Sequence, residues 1–333
     1  MNPSKYVGAI LAAGRGSRMA PFSENFPKPL LPICNRPLIQ RQIEIMKSLG
    51  ITEIVVLVGH KGYEISKVLG DGSKLGVSIR YVEQTSTLGI AHAVGRLEPH
   101  ISKPFLLFLG DIFFVPGDLR PMFSLFEEQG GGAVLGTKEE QDPEAIRRNF
   151  SITLSPDGFA TRVIEKPRHA TNKLKGVGIY LFDLTIFDAI RRTPRSAMRD
   201  EYEITDAIQV MIQDGHPVRP SDSVLDDINL TVPADLLRCN LLHARKESAG
   251  SIVGKDTVVH AQARLSNCVI GSNVVIKNPV TIANSLIFDD SHVDSTTGFQ
   301  NFIVTPEIMV DCNFGLNNSN GANKWAIAAN TRA

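Results

Sequence analysis

Between Leu11 and Pro32 the chain reads Leu11-Ala12-Ala13-Gly14-Arg15-Gly16-Ser17-Arg18-Met19, then Pro21, then Pro27-Lys28-Pro29-Leu30-Leu31-Pro32. Glycines that follow an apolar run let backbone N–H groups come close to phosphate oxygens. Arg18 and Lys28 add formal positive charge against a polyphosphate. A Gly-x-Gly alone also fits an ordinary strand-to-helix turn. The third glycine and following acidic residue of a dinucleotide fingerprint are missing, and no Gly-Lys-Ser/Thr closes a Walker loop.

Three further segments carry matching chemistry. In Gln84-Thr85-Ser86-Thr87-Leu88-Gly89-Ile90-Ala91-His92 a glutamine amide can pair with a base edge, and Gly89 permits a close approach. Leu109-Gly110-Asp111 ends a very apolar run with a carboxylate, which suits Mg2+, an ion that needs only one or two protein carboxylates when phosphates supply other oxygens. Glu165-Lys166-Pro167 closes Thr161 to Ile164. Its carboxylate can accept hydrogen bonds from sugar hydroxyls while its ammonium neutralises a phosphate.

These segments need elements to hold them. Short β-rich runs alternate with stretches of helical period: Val7 to Ala12 and Leu38 to Leu49, Ile54 to Val58 and Tyr63 to Leu69, Val77 to Val82 and Ile90 to Leu97, Phe105 to Leu109 and Leu119 to Glu128. Such alternation predicts a mostly parallel sheet covered on both faces, with ligands beyond the carboxyl ends of its strands. The candidate segments after the first, third and fourth strands should converge there.

After Lys246 the texture changes. Glu247-Ser248-Ala249-Gly250-Ser251 reads as a linker. Apolar residues then recur at Val253, Val259, Leu265; Ile270, Ile276, Ile282; Ile287, Val293, Phe299; and Val304, Val310, Leu316, spaced six, six and five, with Gly254 and Gly271 one 17-residue period apart. A coil with three flat faces supplies one inward side chain per face at this spacing. The pattern resembles the hexapeptide-repeat left-handed β-helix, with about four coils.

Composition narrows the partners. Lysine plus arginine (35) equals aspartate plus glutamate (35), so no overall field draws the chain to nucleic acid or an anionic membrane, and a small phosphorylated ligand fits better. Cys34, Cys239, Cys268 and Cys312 lie too far apart for a zinc or disulfide framework and suit a reducing cytosol. The first apolar run, Tyr6 to Ala13, is too short to span a bilayer, so a cytoplasmic protein is expected.

Taken whole, the string from Leu11 to Pro32 resembles the signature of sugar-1-phosphate nucleotidylyltransferases, above all the long-form glucose-1-phosphate thymidylyltransferases. Ser17 replaces the usual threonine, and the likeness runs from 5 to 245. The resemblance implies an α/β fold: a Rossmann-like, mostly parallel nucleotidyltransferase domain over 1–248, then a left-handed β-helix over 249–333 for assembly as a homo-oligomer. It implies a nucleoside triphosphate and a sugar 1-phosphate as substrates, and Mg2+. By likeness, Leu11, Ala13, Gly14, Arg15, Gly16, Gln84, Gly89 and Asp111 hold the nucleotide, and Arg18, Lys28 and Lys166 are catalytic. Glu165, Lys166, Gly178 and Glu203 meet the sugar phosphate, with Gly178 leaving room for the ring. Thr205 or Asp206, beside Glu203, either caps a helix or touches sugar.

Two places depart from the family. Asn229 stands where a second metal aspartate is usual, and an asparagine oxygen can also ligate magnesium; Asp227 is a rival. Phe150-Ser151-Ile152 replaces Tyr-Gly-Val at the sugar. The expected reaction joins dTTP to glucose 1-phosphate, with UTP and glucose or N-acetylglucosamine 1-phosphate as the alternative. A non-catalytic regulatory or assembly subunit is the alternative of another class. Acyl transfer by the coils would need a histidine in a recognisable motif, which His260 and His292 do not provide.

Overall fold

The structure, a computed structural model, describes residues 2–169, 173–247, 250–313 and 326–329. Contact density divides the chain into two compact units, Met1–Arg15 with Ile39–Asp227 and Gly16–Leu38 with Ile228–Ala333. The part of the signature segment within Gly16–Leu38 groups with the C-terminal residues in contact density.

In the first unit the strand Val7–Ala12 is buried along almost its whole length, as a two-faced central strand must be. It pairs in parallel with Glu53–Val58 on one side and Phe105–Leu109 on the other, and Glu53–Val58 pairs in parallel with Ser78–Glu83. The helices Leu38–Ser48, Gly62–Leu69 and Ile90–Gly95 supply the crossovers, as the alternating pattern predicts. Beyond Phe105–Leu109 the sheet turns antiparallel. Leu174–Phe182 joins there, followed by Phe150–Leu154 and Ala160–Glu165, while Ala133–Glu139 pairs antiparallel with Leu174–Phe182 and in parallel with Val218–Ser221. Among the described residues no helix is long and apolar enough to cross a membrane.

In the second unit the helix Pro233–Glu247 starts where the Asp235 carboxylate accepts hydrogen bonds from the Thr231 and Val232 N–H groups. It covers the first residue of the expected linker. The repeat that follows stacks as the spacing requires. Val253 lies opposite Ile270, Ile270 opposite Ile287 and Ile287 opposite Val304; Val259, Ile276 and Val293 stack on a second face, and Leu265, Ile282 and Phe299 on a third, all in parallel. Asp256, Asn273 and Asp290 turn one corner in the left-handed backbone region, and Asn267, Asn284 and Asn301 turn another. Short polar side chains are the non-glycine residues that tolerate this conformation. The Asn267 amide also donates to the Asn284 side-chain oxygen at 2.6 Å. A Cβ on Gly254 would lie 2.4 Å from the Gly271 backbone, so the two glycines one period apart are a packing requirement.

The expected fourth round does not continue. After Phe302–Val304 the chain reverses, and Ile308–Asp311 pairs antiparallel with it, Val310 facing Ile303. The cause is local. Pro306 has no N–H to give to a ladder, and the Thr305 hydroxyl accepts from the Glu307 and Ile308 N–H groups, closing a tight turn. Among the described residues there are three complete coils and the first strand of a fourth. Leu316 lies outside the described residues.

Candidate active site

Register aligns the strand ends of the first unit. Ala12 faces Val58, Val58 faces Glu83, and Leu11 faces Leu109. Ala13, Gly59, Gln84 and Gly110 thus leave the sheet at one rim, as the sequence predicts for the segments after the first, third and fourth strands. The Gly110 N–H donates to the Leu11 carbonyl at 2.9 Å, and a Cβ on Gly110 would lie 2.5 Å from that oxygen. Gly59, which no motif singled out, is equally tight against Ala13, with 2.8 Å from an added Cβ to the Ala13 carbonyl oxygen. Gln42, fully buried in the helix Leu38–Ser48, donates to the carbonyls of Leu109 at 2.8 Å and Ile112 at 2.9 Å. It thereby spans Gly110 and Asp111. Asp111 is half-buried; Gly14 and Arg15 are exposed.

Gln84 is buried, and its amide nitrogen lies 2.9 Å from His92 Nδ1. When that amide donates, Nδ1 is the unprotonated ring nitrogen. Burial, with the positive charges of Arg96 and Arg195, accordingly lowers the His92 pKa. His92 orients the glutamine. Gly89 has φ +109°, and a Cβ there would lie 2.4 Å from the Tyr202 carbonyl oxygen. The Tyr202 N–H donates to Leu88 O, and Ala91 N–H donates to Tyr202 O. The backbone of Tyr202 is sufficient reason for this glycine.

At the end of Ala160–Glu165 a second cluster forms. Arg199 lies 3.0 Å from Glu203 and 3.6 Å from Glu165, and the Thr205 hydroxyl donates to Glu165 at 3.4 Å. Burial first, then the negative Glu203, pushes Glu165 up to about 7, against the pull of Lys166 and Arg199. Burial also raises Glu203. Thr205 is fully buried against Glu165 and joins this cluster, while Glu203 takes the helix N-cap position. Lys166 is exposed at φ +41°, its N–H donating to the Asn149 carbonyl at 2.7 Å. A lysine in the left-handed region costs free energy, and such strain is concentrated at functional positions.

Gly178 has φ +77° and lies where the pairing of Leu174–Phe182 slips between Gly176 and Tyr180. The space a side chain would take is filled by Ile112 and Leu109, with added-Cβ distances of 2.6 and 3.0 Å, so this glycine answers to the bulge and its packing. The Phe150 ring covers Gly176, where a Cβ would lie 1.8 Å from the ring, and stacks on Tyr180. Ser151 is buried opposite Lys175 and Ile164.

Asp227 is engaged elsewhere. Lys175 donates to both its oxygens, at 2.7 and 3.0 Å, and both side chains are nearly inaccessible, at 5% and 3% exposure. Lys138 bonds Asp226 at 2.6 Å, and Glu140 lies within 3.8 Å of both lysines. A carboxylate bound this way is a poor metal ligand. Asn229, two residues on, is exposed. Among the described residues no group of three His, Cys, Asp or Glu is arranged to hold a metal.

In the second unit Gly16 adopts the left-handed conformation at φ 64°, and the Lys28 stem lies across it, 2.8 Å from an added Cβ. Arg18 is exposed; Lys28 is 8% exposed. The hairpin Pro32–Ile33 and Arg36–Pro37 turns through Cys34 and Asn35, both at positive φ. Asn240, buried in the helix Pro233–Glu247, accepts from the Cys34 N–H at 2.8 Å and donates to the Pro32 carbonyl at 2.9 Å. No motif pointed to Asn240. Its signal is that a polar residue sits on the buried stripe of Leu236, Leu237 and Ala244. All four cysteines are buried, and none is in a disulfide.

Residues 7–223 match the model of the family described as nucleotidyl transferase. The low-salt glycan biosynthesis nucleotidyltransferase Agl11 of Haloferax volcanii is 38% identical over 214 residues, 63% of this chain and 58% of that protein. The match thus spans less than two thirds of that relative's length. The UTP–glucose-1-phosphate uridylyltransferase AglF of the same organism is 34% identical over 209 residues, 63% of this chain and 84% of that one. Among solved structures, a Bacillus anthracis protein described as a glucose-1-phosphate thymidylyltransferase, in complex with sucrose, is 30% identical with a TM-score of 0.63. It covers 71% of this chain and 94% of its own. With the family model matching well over half of its length, the chain belongs to the nucleotidyl transferase family.

Proposed function

We propose that the protein is a sugar-1-phosphate nucleotidylyltransferase. A phosphate oxygen of the sugar 1-phosphate attacks the α-phosphorus of a nucleoside triphosphate in line; the new P–O bond forms as the bond to the β-phosphate's bridging oxygen breaks, and pyrophosphate leaves with the electron pair. No proton need move, so positioning and positive charge carry the rate. The observation that carries this reading is the single rim at which Leu11–Arg15, Gln84 and Gly110-Asp111 leave the parallel strands, inside the stretch matched by the family model.

In this reading Leu11, Ala13, Gly14, Arg15 and Gly16 line the triphosphate, Gln84 and Gly89 meet the base, and Arg18 and Lys28 neutralise the phosphates. Glu165, Glu203 and Gly178 lie on the sugar side, with Lys166 at its phosphate. Asp111 and Asn229 would hold Mg2+, which supplies charge neutralisation at the phosphates; Asp227 is occupied by Lys175. The preferred substrates are dTTP and glucose 1-phosphate. UTP is the second reading, favoured by Asn229 and by the likeness to AglF. The setting is the cytoplasm, and the coils assemble the chain into a homo-oligomer.

The test is magnesium-dependent pyrophosphate release from dTTP or UTP, each with glucose 1-phosphate and N-acetylglucosamine 1-phosphate. The expected ranking places dTTP with glucose 1-phosphate first; faster turnover with UTP moves the base assignment, and no release from any pair overturns the reading. Arg18→Ala and Lys166→Ala should each lower turnover by about 100-fold or more while the melting temperature holds.

A further inference from the structure

The segment Gly16–Leu38, which carries Arg18 and Lys28, is fastened to the C-terminal coils at two places. Phe288, 6% exposed at a coil corner, stacks on Phe22 at a centroid distance of 5.8 Å and an interplanar angle of 19°, and meets Phe26 edge-on at 5.6 Å. The Asn35 amide at the hairpin tip donates to the Ile270 carbonyl at 2.7 Å. Between these fastenings lie Lys28 and the short turns closed by Leu30 N–H to Pro27 O and Leu31 N–H to Lys28 O, and just before the first lies the turn closed by Met19 N–H to Gly16 O. The segment has little regular structure of its own: two 3-10 turns, one four-residue helix and a two-residue hairpin. Elements this short do not hold a shape in water unaided.

We propose that the coils position the phosphate-binding segment: Phe288 and the Ile270 carbonyl hold Gly16–Leu38 in the conformation that lays Lys28 across Gly16. Phe288 and Asn35 are positioning residues that act through Lys28 and Arg18, neither touching substrate. The coils then have a task within each chain besides assembly. This rests on the nucleotidylyltransferase reading for the ligand, while the fastening itself stands on the contacts above.

Two variants of the full-length chain test it. Phe288→Ala removes the stack. Asn35→Gly keeps a residue suited to positive φ in the turn and removes only the bond to Ile270. Two measurements apply: KM for each substrate, and hydrogen exchange at the Met19, Leu30 and Leu31 amides. Both variants should raise KM for the nucleoside triphosphate by about 5- to 20-fold, leave KM for the sugar 1-phosphate within about twofold, and speed exchange at those amides about tenfold or more. Phe288→Leu, which keeps an apolar contact, should recover most of the triphosphate KM. A protein with coils that only assemble subunits would show none of these shifts, and unchanged KM and exchange in Asn35→Gly with a folded Phe288→Ala overturn the proposal. Should Phe288→Ala not fold, Asn35→Gly decides alone. If wild type turns over no substrate pair, the functional reading fails, and the exchange measurement still decides the fastening.

Discussion

The two units hold their candidate site residues by different physics. In the first, charge faces charge in partial burial: Glu165 and Glu203 share Arg199, and Lys175 grips Asp227. In the second, neutral groups fasten the segment bearing Lys28, the Asn240 and Asn35 amides and the Phe288 ring, while Lys28 itself also feels the buried Asp235 carboxyl. Buried charges set protonation and respond to pH; amides and rings fix geometry and do not. That suits the proposed division of labour. Sugar hydroxyls need acceptors of tuned charge, whereas a triphosphate needs donors at fixed places.

The comparison breaks most visibly at Lys175. Asp227→Asn leaves an ammonium 5% exposed without its principal partner, and losing one member of a buried pair costs about 3–5 kcal/mol. Urea unfolding should show that loss, and the double variant Lys175→Met with Asp227→Leu should restore most of it. A loss below about 1 kcal/mol in Asp227→Asn would mean the pair is wetter than its geometry indicates. Asp227 would then be open to metal again.

Much of this was legible in the sequence, for identifiable reasons. The coil register follows from one side chain per face, and every described apolar position through Val304 takes its expected place. The strand-end segments follow from alternation alone. What escaped were single polar residues whose partners are distant in sequence: Gln42 beneath Asp111, Arg199 between two carboxylates, Asn240 under a hairpin 206 residues away. No periodicity encodes such pairs. Gly89 and Gly178 were legible as glycines, but their reasons, the Tyr202 backbone and a bulge, appear only in three dimensions. The reversal after Val304 had its signal in Thr305-Pro306, which the apolar count overrode.

Asn240 gives the second test, on the neutral side. Asn240→Ala deprives the buried Cys34 N–H and the Pro32 carbonyl of a partner. Stranding such groups costs about 1–3 kcal/mol each, so a loss of about 2–4 kcal/mol is expected in urea unfolding. It should be the same at pH 6 and pH 8, since both lost bonds join the amide to backbone groups that do not titrate. A loss that changes with pH would remove the distinction between the two units.

Glu165 provides the finest test, because its effect has a sign. Its carboxyl is raised from an ordinary 4.5 to about 7, so the folded protein holds this proton more tightly than the unfolded chain does. The resulting stabilisation is fully present below the ordinary value and is lost as pH rises through about 7. Glu165→Gln cannot ionise and lacks that slope. Relative to wild type it should therefore gain stability between pH 5 and pH 8, by at most about 3 kcal/mol. Affinity should run the other way. If the ionised carboxylate accepts sugar hydroxyls, KM for the sugar 1-phosphate falls in wild type as pH rises through 7, and in Glu165→Gln any remaining pH dependence belongs to the substrate's own phosphate. Identical KM profiles in the two proteins would leave Glu165 a buried acid with no part in sugar recognition, and the charged unit would lose the function that separates it from the neutral one.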